Sequence, residues 1–221
     1  MTVVGVLDYG SGNLHSVCRA LDALGATVKV SSVSAELADV PGLVVPGVGA
    51  FSACMAGLVA AGGDKLIRDR LDAGKGVLGI CVGHQVMFER GVEHGEQTAG
   101  LGLLPGTVEP LAARRVPHMG WNLVEPPVRS QMFAGVGDQR FYFVHSYGVH
   151  RDLGFAVGGA AWCEHGGDRF VAAVEWGKLW TAQFHPEKSG AAGAAVLRNW
   201  LAFIACDTSV GGSRLGLATP V

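Results

Sequence analysis

Residues 77–83, Val-Leu-Gly-Ile-Cys-Val-Gly, constrain the fold of this chain more than any other stretch. An apolar run ends there on a cysteine with a glycine two residues to either side, and Val86, Met87 and Phe88 follow as the apolar side of a helix. A strand that turns this sharply into a helix carries its central side chain at the top of a sheet, and the flanking glycines admit the close backbone approach. The motif predicts a sheet with helices on its faces. Upstream, residues 3–7 read as a strand and 8–13 as a polar, glycine-rich loop. Leu14, Val17, Cys18, Leu21 and Leu24 fall on one helical face that Gly25 stops. Strands follow at 27–30 and 43–45, the latter ending at Pro46, with a helix at 63–73 closed by Gly74. These strands are short, continuous and apolar, as expected where helices cover both faces of a mostly parallel sheet.

After residue 104 the pattern becomes β-rich, with strands expected at 107–109, 122–124, 140–144, 156–162, 170–176 and 179–184. Gly166-Gly167 and Gly177-Lys178 suit hairpin turns, because glycine reaches positive φ cheaply. A last helix spans about 191–206, and residues 207–221 show no periodicity and read as a mobile tail. The expectation is one α/β domain over 1–206 with a central mixed, mostly parallel sheet.

Composition narrows the partners. Of 221 residues, 49% are hydrophobic and 16% charged, the net charge is −2, and no run of like charges offers the basic surface that nucleic acid needs. Residues 40–63 carry no charge, but Pro41, Pro46 and six glycines interrupt them, so a loop between buried elements is expected rather than a membrane span. The opening MTVVGVLDYG has no export-signal pattern, which points to a cytoplasmic protein. Five cysteines, odd in number and widely spaced, fit reduced thiols better than a disulfide framework or a zinc site.

Cys81 is the candidate nucleophile, its thiolate favoured by the helix amino terminus. A packed core cysteine is the competing reading. His185 and Glu187, in Phe184-His-Pro-Glu, lie two apart at the end of an apolar strand, so the carboxylate can orient the imidazole. Alone, His185 reads as an ordinary strand-end histidine; paired with the elbow it completes a nucleophile, base and carboxylate set for acyl transfer. The loop Pro46-Gly47-Val48-Gly49 could turn the Val48 N–H toward the sheet top, where with the Val82 N–H it would stabilise an oxyanion. Gly10-Ser-Gly-Asn-Leu-His15 has the position of a dinucleotide loop, but it lacks the third glycine, and no acidic residue closes the second strand. His94, His150 and His165 have no ligand-spaced companions and read as surface or turn residues, so no metal site is expected. His118 and His145 sit in segments too unusual to explain by packing alone.

Taken together, GICVGHQ (79–85) and FHPEKSG (184–190) resemble the nucleophile and His/Glu segments of the triad-type, class I glutamine amidotransferases. DYGSGN (8–13), VPGVGAF (45–51), VPHMGWN (116–122) and FYFVHSY (141–147) narrow the likeness to the glutaminase subunits of imidazole glycerol phosphate synthases. The resemblance covers about residues 3–205 and implies a flavodoxin-like fold. It implies that Cys81, His185 and Glu187 hydrolyse L-glutamine through a thioester, without cofactor or metal. Gly49, Gln85, Ser146 and Tyr147 match glutamine-holding positions, and Glu93 less closely. Gln85 also lies four residues after Cys81, on the same side of a helix. Asn13, Trp121, Tyr142 and Lys188 match interface positions, the last two as gates. The implied partner is a (β/α)8-barrel cyclase subunit, in a heterodimer that receives the ammonia for histidine biosynthesis. Val82 and His84 stand where leucine and methionine are frequent in the family. Rival readings are a glutaminase for another synthase, such as a vitamin B6 synthase, a cysteine hydrolase using the same triad, and a non-catalytic binding module.

Overall fold

The computed structural model describes residues 2–150 and 159–207. Strand β1 (Val3–Leu7) leads to helix α1 (Leu14–Asp22), strands β2 (Thr27–Ser31) and β3 (Gly42–Gly47), helices α2 (Phe51–Ala60) and α3 (Gly63–Asp72), and strand β4 (Gly76–Cys81). One helical turn, α4 (Val82–Gln85), passes into the hairpin of β5 (Phe88–Glu93) and β6 (Glu96–Ala99). Then come β7 (Leu104–Pro110), β8 (His118–Leu123), β9 (Arg140–His145), β10 (Tyr147–Gly148), β11 (Gly159–His165), β12 (Asp168–Trp176), β13 (Leu179–Ala182) and the long α5 (Gly190–Asp207).

The main sheet has the order β11-β12-β13-β4-β3-β1-β2. The five strands from β13 to β2 pair in parallel, and β12 and β11 extend the sheet antiparallel. This is the expected mixed, mostly parallel architecture. Every residue of β3 and β4 is buried, as a continuous apolar run requires when both faces are covered, whereas the edge strand β2 is largely exposed. Among the described residues, a four-stranded sheet, β10-β7-β5-β6, and the β8–β9 hairpin lie beside the main sheet. Phe141 and Phe143 share the buried face of β9 and dock it on the main sheet, with ring centroids 4.4 Å from Phe184 and 5.8 Å from Phe170. Burying each such ring stabilises by about 1.5–3 kcal/mol, which anchors the hairpin beside the end of β13.

Arg70, on α3, is almost wholly buried and donates to five backbone carbonyls, those of Leu37, Ala38, Val40, Pro41 and Gly76. The guanidinium thus ties together the chain entering β3 and the first residue of β4.

Several elements depart from the sequence reading. Strand β3 runs through Pro46 to Gly47; its ladder with β1 stops at Val44, and the Pro46 carbonyl accepts the Tyr9 and Ser11 hydroxyls, so no backbone partner on that side needs a proline N–H. The uncharged segment 40–63 holds β3 and α2 rather than a loop. The helix at the elbow is one turn long and Phe88 already belongs to β5, because Leu101 takes the Val86 carbonyl and Leu103 and Leu104 take that of Met87. The β5–β6 hairpin turns on His94 and Gly95, both at positive φ. Strand β8 starts four residues earlier than expected. Of the expected strand 156–162, residues 156–158 lie outside the described residues, as does the tail from 208 onward. No helix among the described residues is long and apolar enough to cross a membrane.

Candidate active site

Cys81 ends β4 and precedes α4 with φ 57° and ψ −114°, a conformation that L-residues avoid and that costs of order 1–3 kcal/mol. The strain is held by close packing around it. A Cβ on Gly83 would lie 1.9 Å from the Val45 carbonyl oxygen, and one on Gly79 would lie 2.5 Å from that of Gly83. The glycines are therefore needed for approach, as the motif implied. Cys81 is only 5% exposed, so the expected opposition between a presented and a buried thiol dissolves: the residue is buried by its neighbours and still lines a pocket of about 430 Å³.

His185 follows the end of β13, and its backbone N–H donates to the Tyr142 carbonyl at 2.9 Å. Its Nδ1 lies 2.7 Å from Oε1 of Glu187, on the 3-10 turn Pro186–Lys188. Ser189 steadies the turn by donating to the His185 carbonyl and accepting the Tyr142 N–H. The His185 and Glu187 side chains are 1% and 0% exposed. Burial works against a charge on His185, but the Cys81 and Glu187 side chains outweigh it and raise its pKa to about 9. His185 Nε2 has no hydrogen-bond partner of normal geometry, although it interacts electrostatically with the nearby Cys81 side chain. The nitrogen is thus available for proton transfer.

The pocket brings together most of the residues singled out in the sequence. Its lining includes Val48, Gly49, Cys81, Val82, Gln85, Glu93, Ser146, Tyr147, His185 and Lys188, with Ala50, His94, Val144 and His145 added. Glu93 also accepts the Phe51 N–H at 2.8 Å, which caps α2, and it borders an adjoining hollow of about 240 Å³. The Val48 carbonyl accepts the Cys54 thiol at 3.3 Å, fixing the loop after β3 from behind. Gln85 Nε2 donates to the Tyr147 carbonyl and to Gln183 Oε1. His84, buried under the elbow, contacts the Thr181 hydroxyl at 2.7 Å, and burial lowers its pKa to about 3, so it ties α4 to β13 as a neutral ring.

Of the four residues matched to an interface, two do more than border a surface. Asn13 Nδ2 donates to Glu187 Oε1 at 2.6 Å, so its side chain belongs to the carboxylate's immediate surroundings. Its left-handed backbone (φ 75°, ψ 8°) lets it point there instead of capping α1. Lys188 lines the pocket. Trp121, 51% exposed, shares the outer side of β8 with Met119 and Leu123, and its ring meets that of Tyr142 edge-on and lies against Gly190. Sequence reasoning also missed His145 as a pocket residue. His165, expected at the surface or in a turn, is half-buried at the end of β11 directly before the Gly166-Gly167 turn and stacks on His118. Among the described residues no group of three or more His, Cys, Asp or Glu gathers as metal ligands.

A cysteine on a strained elbow, an imidazole held by a buried carboxylate, and a mostly parallel sheet beneath them form the arrangement that acyl transfer of the amidotransferase type requires. The family model described as glutamine amidotransferase class-I matches residues 5–203, and the chain belongs to that family. Solved structures agree on the fold: a crystal structure of a glutamine amidotransferase aligns with TM-score 0.71 at 24% identity, covering 91% of this chain and 98% of the other. PurLQS from Thermotoga maritima aligns with TM-score 0.69 at 20% identity, covering 92% of this chain and 98% of that one.

Curated relatives narrow the membership. The imidazole glycerol phosphate synthase subunit HisH of Leifsonia xyli is 56% identical over 90% of this chain and 97% of its own length. That of Corynebacterium diphtheriae is 56% identical over 91% and 99%, and that of Nocardia farcinica 57% over 90% and 96%. Within the class I amidotransferases, the chain belongs to the HisH subunits of imidazole glycerol phosphate synthase.

Proposed function

We propose that this chain hydrolyses L-glutamine at Cys81 and hands the ammonia to a cyclase subunit, which makes imidazole glycerol phosphate and an aminoimidazole carboxamide ribotide. The observation that carries the reading is the buried His185–Glu187 pair beside the elbow cysteine, at 2.7 Å between Nδ1 and Oε1. The Cys81 sulfur attacks the side-chain amide carbon while His185 Nε2 takes the thiol proton. Glu187 holds the ring with Nδ1 protonated and stabilises the imidazolium. The backbone N–H groups of Val48 and Val82 receive the oxyanion. The C–N bond then breaks as His185 returns the proton to the departing ammonia; the His185 pKa, raised to about 9 by the Cys81 and Glu187 side chains, favours the imidazolium that serves as this acid. Water, deprotonated by His185, cleaves the thioester, and glutamate leaves as the sulfur recovers a proton. Gly49, Gln85, Ser146 and Tyr147 hold the substrate, with Glu93 at its far end.

The exposed apolar strip Met119, Trp121 and Leu123 on β8, beside Tyr142, is the docking face for the cyclase, read as a (β/α)8 barrel in a heterodimer. Ammonia leaves past Lys188 and Tyr142. The catalytic unit is residues 1–206, and the work is cytoplasmic, needing neither cofactor nor metal. The test is glutamate release by the chain alone and with the cyclase and its ribonucleotide substrate. Turnover in the complex that vanishes in Cys81→Ala, with complex formation intact, supports the reading. A verified complex that leaves glutamine untouched refutes it.

A further inference from the structure

Two buried histidines outside the triad are wired into the pocket wall. His145 lines the pocket, and His118, on β8, stands behind it. Their hydrogen bonds run in one direction. The Tyr147 carbonyl can only accept, so His145 Nδ1, at 2.9 Å, carries the hydrogen and donates to it. His145 Nε2 is then an acceptor and is served by His118 Nδ1 at 3.0 Å. His118 Nε2, an acceptor in turn, receives Asn122 Nδ2 at 3.3 Å, and the same amide nitrogen donates to the Glu164 carbonyl at 2.8 Å. Burial lowers the pKa of His145 to about 3 and that of His118 to about 4, so each ring keeps one donor and one acceptor at neutral pH.

The Tyr147 carbonyl joins this array to the site. It also accepts Gln85 Nε2 at 3.0 Å, while Gln85 Nε2 donates to Gln183 Oε1 at 2.9 Å. Gln183 Nε2 lies 3.9 Å from the Cys81 sulfur. With both hydrogens of its amide nitrogen committed to protein acceptors, Gln85 offers the pocket its oxygen.

We propose that His118 is a positioning residue for the glutamine pocket: acting through His145, it holds the Tyr147 carbonyl where Gln85 is turned with its acceptor oxygen toward the substrate. This rests on the glutaminase reading above. Packing alone would be served by any flat ring, since His118 lies between Phe143 and His165 at centroid distances of 4.7 and 4.1 Å.

The test replaces His118 by Phe, which keeps the ring and removes the donor, and by Asn, whose amide nitrogen reproduces Nδ1. In the complex with the cyclase, His118→Phe is expected to raise KM for glutamine about tenfold with kcat changed less than about threefold, the effect of one lost neutral hydrogen bond on ground-state binding. His118→Asn returns KM to within about threefold of wild type. An unchanged KM in folded His118→Phe overturns the proposal, and so does an equal rise in both variants, which would mean that only volume matters. Long-range ¹H–¹⁵N NMR of the full-length chain reads the array without turnover. Both rings are expected as neutral Nδ1–H tautomers, and an Nε2–H form of either overturns the proposal. A wild-type complex that shows Nδ1–H rings but leaves glutamine intact would overturn the glutaminase reading and support the array.

Discussion

Replacing Asn13 by glycine separates two roles for a residue that lies far from the triad in sequence. Glycine accepts the left-handed backbone at this position, so Asn13→Gly removes the side chain without straining the chain. Glu187 Oε1 receives both Asn13 Nδ2 at 2.6 Å and His185 Nδ1 at 2.7 Å, while Oε2 has no protein partner and the side chain is 0% exposed. The substitution leaves a buried carboxylate with a single donor. A hydrogen bond to a charged group contributes about 1.5–3 kcal/mol, so if that orientation energy is realised in the transition state, kcat falls about ten- to 150-fold. The assay is steady-state glutamine hydrolysis by the complex, with the affinity for the cyclase measured in parallel. Asn13→Asp should be worse, since it sets a second carboxylate against Glu187. Loss confined to cyclase affinity, with kcat per complex unchanged, would refute the positioning argument and return Asn13 to the interface.

Gly83→Ala should cost about 3 kcal/mol or more, because the new methyl would meet the Val45 carbonyl at 1.9 Å inside the β3–β4 pairing; a urea midpoint like that of wild type would contradict the packing account of the elbow. Arg70→Met removes the donor of five buried or partly buried carbonyls and should lower unfolding free energy by about 3–5 kcal/mol, read by urea denaturation, with the fold refuting the cage if it loses less than about 1 kcal/mol. Stability should also be bounded on both sides in pH. His84, His118 and His145 have their pKa lowered from 6.5, chiefly by burial, so the unfolded chain binds protons first and stability falls as pH drops from 6.5 toward about 4. The His185 pKa is raised, so its contribution is complete below 6.5 and is lost as pH rises through about 9. Thermal midpoints from pH 4 to 10 check this, and a midpoint that climbs between pH 6.5 and 5 would contradict the acid limb.

Much of this molecule is legible in its sequence. Strands β1, β3 and β4 are short apolar runs bounded by glycine or polar residues, and α5 is long enough to read unaided. The Gly166-Gly167 and Gly177 turns hold positive φ where two strands reverse. Helix α2 was missed because FSACMAGLVA is apolar or small nearly all round, so no stripe stands out. The length of α4 was misjudged because what stops it is the chain at 101–104, far along the sequence, taking the carbonyls of Val86 and Met87. Local periodicity carries no trace of that competition.

The same division runs through the site. The elbow around Cys81 and the His185–Glu187 pair are local: one needs glycines at fixed offsets, the other two side chains on one side of an extended segment, and a sequence states both directly. The pocket is not local. Cys81 reaches Gln183, Asn13 reaches Glu187, and His118 reaches His145 only after the parallel sheet and the β8–β9 hairpin have brought distant segments side by side. Sequence by itself determined which groups are the candidates for the chemistry, because reactivity belongs to residue type and short-range geometry. Tertiary structure decided which polar groups hold them in place, because a buried donor bonds whichever acceptor the packing leaves within reach.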